Sequence, residues 1–208
     1  MIVGNGEVPE GVADVIDRAD IVIRFNHCRS LGAGGRRTDV VAVCNTGRPG
    51  REMTQERHWR ESPGVMSATA IWCVRDPAKF TEMEPDIRRD RPELEDFCVD
   101  YSVSFSAIAA ETGKTHLIID RQVHDRLDDQ LRSLSSQNYV CPSSGLVTIC
   151  HMLDSMVEGD EVSIAGFGHQ GWDGHPFIAE KQLVDLLVGQ GRLRRLPSVS
   201  KFSVSEGA

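Results

Sequence analysis

The chain has 208 residues, of which 40% are hydrophobic and 26% charged, a balance typical of a globular protein with one substantial core. Its net charge of −8 argues against nucleic acid as a partner, because neutralising phosphates requires clustered positive charge. No apolar run approaches the roughly 18 residues needed to span a bilayer, and the N-terminus lacks a signal-like segment. We therefore expect one cytoplasmic domain over residues 1–208, without a membrane span.

The N-terminal part predicts a strand, a glycine turn, a helix and a second strand. An apolar start runs into Gly4-Asn5-Gly6, apolar residues then recur at helical spacing up to Ala19, and the next apolar run stops at Asn26. Such a βαβ unit has parallel strands, and its ligands bind beyond their carboxyl ends, where these glycines and asparagines are placed. The GxG lacks the third glycine of the dinucleotide fingerprint, and no GK[ST] follows, so neither an NAD site nor a P-loop is predicted.

Four arginines, at positions 24, 29, 36 and 37, fall close together in sequence near the N-terminal glycines. Such a patch can bind an anionic small molecule even in an acidic protein, or it can form a solvated face. The six cysteines show no CxxC pair, and several lie in apolar, strand-like runs. This pattern favours buried thiols over disulfides or zinc ligands.

Apolar runs and polar segments alternate through the middle of the chain. The runs predict strands over residues 39–44, 70–75 and 116–120. A helix is predicted over 123–134, because its apolar residues share one face. Residues 46–64 are predicted as loop plus a short helix. Residues 76–95 combine three prolines with dense charge, which indicates a surface loop or, alternatively, a mobile flap or insertion.

The loop Ser143-Ser144-Gly145 precedes a helical pattern over residues 146–156 and therefore lies at a helix N-terminus. Serines at this position cap the helix, or they bind an anion or a ribose. A strand over 162–167 follows. The alternation of strands with helices predicts an α/β fold, a Rossmann-like, mostly parallel sheet flanked by helices.

A Gly-rich loop that carries His169 and His175 leads from this strand into an amphipathic helix, whose first turn suits Pro176. Glu180 lies five residues after His175, a little over one turn, so the two side chains can approach each other but are not forced to. Either His175 caps the helix and Glu180 is solvated, or the two residues belong to a site. Residues 192–196 are predicted as an edge strand, and 198–208 as a flexible tail.

Several short sequence patterns occur in a characteristic order. The first region holds a VGN turn, an ID-x-x-D segment, an R-x-N strand end and a G-x-x-x-D-V element; later come PSSG, a DEV strand with GF, and the H-x-x-x-x-E of HPFIAE. Over roughly residues 2–44 and 139–187, the chain resembles the eukaryotic-type sialyltransferase family and its large, small and very small sialyl motifs. It also resembles small bacterial proteins labelled urease-operon accessory proteins, a label that names a gene neighbourhood.

The resemblance implies a sialyltransferase-like fold, a GT-A-like variant, and inverting transfer of an acidic sugar from a CMP-sugar to a hydroxyl of a small-molecule or glycan acceptor. It implies no metal and no other cofactor. His175 would be the general base, Glu180 would position or polarise the site, and His169 would stabilise the departing phosphate. The implied donor-binding residues are Gly4, Asn5, Gly6, Asn26, Ser143, Ser144 and Gly145.

The chain also departs from that family. It starts at Met1 without a membrane anchor, and Gly159 stands near the place of the small-motif cysteine, so the family's disulfide is not expected. Residues 45–138 do not match, although acceptor choice would be decided there. Two alternatives to an enzyme stay open: a non-catalytic protein that binds a cytidine nucleotide, and an accessory or scaffold protein.

Overall fold

The computed structural model describes residues 1–196; the expected tail, 198–208, lies outside this range. The strands are β1 (Ile2–Val3), β2 (Ile23–Phe25), β3 (Val40–Val43), β4 (Ala70–Cys73), β5 (Thr115–Ile118), β6 (Ser163–Ala165) and β7 (Arg194–Arg195). The helices are α1 (Ala13–Asp17), α2 (Gly47–Gln55), α3 (Arg57–Arg60), α4 (Pro63–Ser67), α5 (Pro77–Asp90), α6 (Ser102–Glu111), α7 (Arg121–Leu134), α8 (Ser144–Asp154) and α9 (Phe177–Gly189), together with a 3₁₀ segment, Pro92–Cys98.

The strands form one sheet in the order β5-β4-β3-β2-β1-β6-β7, and every neighbouring pair is parallel. The predicted α/β fold is therefore confirmed. The chain moves outward from β1 to β5 and then returns to the other side of β1, so the strand order reverses between β1 and β6. Because all strands point the same way, their carboxyl ends share one edge, where ligands of such sheets bind.

Side chains alternate between the two faces of the sheet, and both faces are covered by helices. Ile23 and Phe25 pack with α7, α8 and α9 on one face. Val41 and Val43 pack with α2, α3, α4 and α6 on the other, where α1 covers Val3. This double coverage explains the nearly continuous apolar runs of the strands. No helix within residues 1–196 combines the length and apolarity that crossing a bilayer requires.

Residues 76–95, predicted as a loop or flap, are largely helical. The Asp76 carboxylate caps α5 by accepting a hydrogen bond of 2.8 Å from the backbone N–H of Ala78, and Pro77 occupies the first turn, where no N–H is needed. Phe80 and Ile87 are buried. Pro77 thus marks a helix start, and Pro85 lies within the helix. The helix α6 was not predicted, and residues 46–64 hold more helix than expected.

Arg24 belongs to the core instead of a surface patch. Its side chain is fully buried and donates to the carbonyls of Arg37 and Gly34 and to the hydroxyl of Ser30, at 3.0, 2.6 and 3.0 Å. The guanidinium thereby satisfies backbone carbonyls of the Gly-rich connection between β2 and β3. This arginine orders a loop and does not face a ligand.

His124, in α7, makes the stability of the fold depend on pH. The side chain is buried, and within residues 1–196 its Nε2 has no hydrogen-bond partner. Burial, followed by repulsion from Arg75, lowers the pKa of His124 to about 4. The unfolded chain takes up this proton near pH 6.5, and the folded chain only near pH 4. Acidification through this window therefore favours unfolding, by at most about 1.4 kcal/mol per pH unit for this one group.

Replacing this histidine by glutamine tests the effect. We expect the free energy of unfolding of the parent to fall more steeply than that of His124→Gln between pH 6.5 and pH 4, and the two slopes to agree above pH 7. Urea unfolding at half-unit pH intervals measures both slopes. Parallel curves over the whole range would show that His124 is protonated in the folded chain as readily as in the unfolded one.

Candidate functional site

A cleft of about 690 Å³ opens at the carboxyl ends of β2, β3 and β4. Asn26, Cys44 and Arg75 follow these strands and form its floor. The start of α2 and the 3₁₀ segment form one side, and the loops before α8 and α9 form the other. Among residues 1–196, no three His, Cys, Asp or Glu side chains cluster as metal ligands. The cleft has the size and place of a small-molecule site in an open α/β sheet.

The structure brings Asn26, Ser144 and His175 together, since all three line this cleft. The other residues predicted for the site lie beside or beneath it and are not part of its lining: Gly4, Asn5, Gly6, Ser143, Gly145, His169 and Glu180. The predicted set therefore divides into residues that line this cleft and residues that do not.

His175 has its imidazole fixed in one orientation. Its Nδ1 lies 2.8 Å from the carbonyl oxygen of Cys141, which can only accept a hydrogen bond, so we assign the ring hydrogen to Nδ1. The rings of Trp172 and Phe177 pack edge-on against the imidazole, with ring centroids 4.9 and 5.4 Å from its centroid. Nε2 then carries a lone pair and has no partner in the described chain. Burial lowers the pKa of His175 to about 4, so the ring is neutral at pH 7.

Glu180 lies beneath the cleft, with 1% of its surface exposed. Its carboxylate accepts two hydrogen bonds of 2.6 Å, one from the backbone N–H of Ser143 and one from the Ser143 hydroxyl. Burial raises the pKa of Glu180, and the bonds from Ser143 oppose this rise. The negative charge also complements the N-terminus of α8. Glu180 thus ties α9 to the start of α8, and its hydrogen bonds within the described residues go to Ser143 and not to His175.

Ser143 caps α8, with its hydroxyl 3.3 Å from the N–H of Leu146. Because its own N–H and hydroxyl also bind Glu180, both are occupied in this structure. Ser144 is the serine that faces the cleft. Gly145 is required by packing, since an added Cβ would lie 2.6 Å from the ring of Phe167. Of the two roles considered for these serines, capping describes Ser143.

The glycine turn after β1 packs against the loop after β6. The N–H groups of Gly4 and Gly6 donate to the carbonyls of Ala165 and Gly166, at 2.8 and 3.0 Å. A Cβ on Gly4 would collide with the Gly166 carbonyl oxygen, which explains why glycine is needed at this position. These two N–H groups are therefore used within the protein at the point where the strand order reverses.

The two asparagines hold the ends of β1 and β2. Asn5 donates to the carbonyl of Phe25 at 3.3 Å and accepts from the N–H of Arg29 at 3.1 Å. The Asn26 side-chain oxygen accepts from the N–H of Cys44 at 2.8 Å. Its backbone has a φ of +52°, a left-handed conformation that asparagine tolerates. The side-chain amide N of Asn26 is the group left to donate into the cleft.

His169 is directed toward the edge of the sheet. Its Nε2 lies 3.2 Å from Nη2 of Arg195 in β7, and since an arginine only donates, this nitrogen is the acceptor. Burial, followed by repulsion from Arg195, lowers the pKa of His169. In this arrangement His169 is occupied by Arg195 and is not part of the cleft lining.

Several cleft residues were not predicted from sequence. Arg75 lies at the end of β4 and is 3% exposed. Phe97 stacks on Trp172 with ring centroids 5.6 Å apart, and this contact joins the 3₁₀ segment to the loop before α9. Arg75 carried a usable signal, because it is the first charged residue after a strand whose carboxyl end must face the crevice. Phe97 carried none, since its segment matched no motif.

Comparison with known proteins places the chain in a family. No protein-family model matches it. The urease operon 23 kDa accessory protein of Rhizobium meliloti (strain 1021) is 49% identical over 209 residues, which covers 100% of this chain and 97% of that protein. A crystal structure of a mammalian sialyltransferase matches 94% of this chain and 67% of its own, with a TM-score of 0.53 and 19% identity, a likeness of fold alone. The chain thus belongs to the family of the urease operon 23 kDa accessory protein and has a sialyltransferase-like α/β fold.

Proposed function

We propose that this protein transfers an acidic sugar from a CMP-sugar to a hydroxyl acceptor, with inversion, in the cleft at the ends of β2 to β4. One observation carries the proposal. The Cys141 carbonyl holds His175 in the tautomer that leaves Nε2 unpartnered in the described chain, on a residue that lines the cleft. A fixed, neutral imidazole with a free lone pair is suited to accept a proton from a hydroxyl.

In this reaction the acceptor oxygen forms a bond to the anomeric carbon while the bond from that carbon to the phosphate oxygen breaks. The hydroxyl proton goes to Nε2 of His175, and CMP departs with the electron pair of the broken bond. The low pKa of His175 keeps the ring unprotonated before the donor binds. A bound anionic donor favours the imidazolium, which strengthens the base when it is needed.

The cleft also offers hydrogen-bond donors for the departing CMP. The side-chain amide N of Asn26 and the residue Ser144, in the first turn of α8, both lie in the lining. N–H groups at a helix start attract phosphate oxygens. Nucleotide binding by these groups is part of the proposal.

A second candidate is a cytidine-nucleotide-binding accessory protein that does not catalyse transfer. The Rhizobium meliloti relative carries the name of an accessory protein and not of an enzyme, which leaves this candidate open. This candidate shares the nucleotide site with the transferase and differs in lacking CMP release. The two are therefore separated by turnover and not by binding.

Thermal unfolding with CMP tests the shared site. A ligand that binds only the folded chain stabilises it by about 2.7 kcal/mol at a hundredfold excess over its Kd, so we expect CMP to raise the Tm at millimolar concentration. AMP serves as the control and should shift the Tm less. Release of CMP from a panel of CMP-sugars then distinguishes the transferase from the accessory protein. An unchanged Tm with CMP and with every CMP-sugar would exclude both candidates.

A further inference from the structure

We propose that Arg75 selects acidic sugars, because its guanidinium binds the carboxylate attached to the reacting carbon of the donor. This inference rests on the proposed function and assigns to one residue the choice of sugar within it. It is carried by a buried cation at the cleft floor that is hydrogen-bonded to no carboxylate; the buried carboxylate of Glu180 attracts it only through space.

The side chain of Arg75 is bonded on one side only. Its Nη2 donates to the Pro142 carbonyl and, at 2.9 Å, to Sγ of Cys141. Within residues 1–196, its Nε is buried and has no partner. Burial raises the pKa of the Cys141 thiol to about 12, so this thiol is neutral and does not balance the guanidinium.

A buried cation without a hydrogen-bonded anion is costly, since the through-space attraction of Glu180 offsets only part of its desolvation. Arg75 is almost completely buried, with 3% of its surface exposed, and it lines the cleft. A ligand carboxylate would supply a directly hydrogen-bonded negative charge, and its two oxygens match the fork of donors on a guanidinium. An anionic group of the ligand should therefore bind to Arg75 more tightly than a neutral group would.

The position of Arg75 relative to the base favours a carboxylate over the leaving phosphate. Arg75 and His175 both contact Cys141, through its sulfur and its carbonyl oxygen. In an inverting transfer, the base and the acceptor approach the anomeric carbon from the side opposite the phosphate. A cation next to the base therefore meets a different substituent of that carbon. In an acidic keto-sugar this substituent is the carboxylate.

The backbone of Arg75 is anchored independently of its side chain. Asn45 accepts a hydrogen bond of 2.9 Å from the Arg75 N–H and donates one of 2.9 Å to the Arg75 carbonyl. Asn45 also donates to the Ser102 hydroxyl at 2.8 Å. Replacing the guanidinium should therefore leave the end of β4 in place, and the substitutions Arg75→Met and Arg75→Lys are suitable tests.

The experiment compares ligands that differ only in the carboxylate. Titration calorimetry would measure the affinity of the parent and of each variant for CMP-sialic acid, for its carboxyl methyl ester and for CMP. We expect the parent to bind the acid at least about 10-fold more tightly than the ester, as one charge-assisted hydrogen bond implies. Arg75→Met should lose this preference and bind CMP within about 2-fold of the parent, while Arg75→Lys, which keeps the charge, should retain part of it.

Each of the other results overturns the role of Arg75 or the proposed function. Equal affinity of the parent for acid and ester would overturn the role of Arg75 and leave the CMP site intact. The same conclusion follows if Arg75→Met keeps the preference. If Arg75→Met loses CMP binding as strongly as acid binding while still unfolding cooperatively in urea, the guanidinium contacts the phosphate or only supports the loop, and the inference fails. A parent that does not bind CMP overturns the proposed function itself.

Discussion

Replacing His175 by alanine is expected to slow CMP release from a CMP-sugar, in the presence of acceptor, by about 10²- to 10⁴-fold, the range that general-base catalysis contributes. The substitution removes Nε2, which is the proposed proton acceptor, and leaves the floor of the cleft unchanged. CMP affinity should stay within a few-fold of the parent, because the groups proposed to bind the nucleotide are on other residues. Initial rates at saturating donor and a calorimetric titration with CMP measure the two effects.

His58 provides a matched control for that substitution. It is an exposed histidine in α3, paired with Glu56 at 3.1 Å, and it does not line the cleft. The variant His58→Ala should release CMP at the rate of the parent. If His175→Ala also turns over like the parent, another group accepts the proton. If both His175→Ala and the parent bind CMP and neither releases it from any CMP-sugar, the accessory role accounts for the cleft.

Much of the fold could be predicted because it follows from local patterns. The apolar runs, the glycine turn after β1 and the helical spacing of α7 and α8 define a parallel α/β sheet without knowledge of long-range contacts. The helices α5 and α6 were missed because their local sequence signals are misleading. In α5, Pro77 and Pro85 resemble loop signals, and the exposed Val103 obscures the buried face of α6. Tertiary packing overrode these signals.

The site could be predicted only where the local sequence around a residue indicates its position in the fold. His175 lies in a Gly-rich loop between a strand and a helix, which places it at the strand ends. Ser143 and Glu180 are 37 residues apart in sequence, and no local pattern shows that the carboxylate occupies the N–H and hydroxyl of the serine. The same holds for Arg75 and Cys141, which are 66 residues apart. Such pairings decide which residues face the ligand, and they arise only when the chain folds.

Replacing Glu180 by alanine is expected to lower the free energy of unfolding by about 2–4 kcal/mol, because two hydrogen bonds to a buried carboxylate are lost and the Ser143 N–H is left without a partner. The variant Glu180→Gln retains the shape and one acceptor, so its loss should be smaller. Glu158, exposed in the turn after α8, is the control, and Glu158→Ala should stay within about 0.5 kcal/mol of the parent. Urea unfolding at pH 7 measures all three.

The same variants show whether Glu180 acts on the substrate or through Ser143. A carboxylate that only fastens α8 to α9 affects turnover through the position of Ser144 and the loop beside His175. In that case Glu180→Gln should change CMP affinity and rate together, and the pH dependence of the rate should remain that of the parent. A Glu180→Gln variant that unfolds and binds CMP like the parent, yet releases CMP 10²-fold more slowly with a shifted pH profile, would assign the carboxylate a direct part in proton transfer.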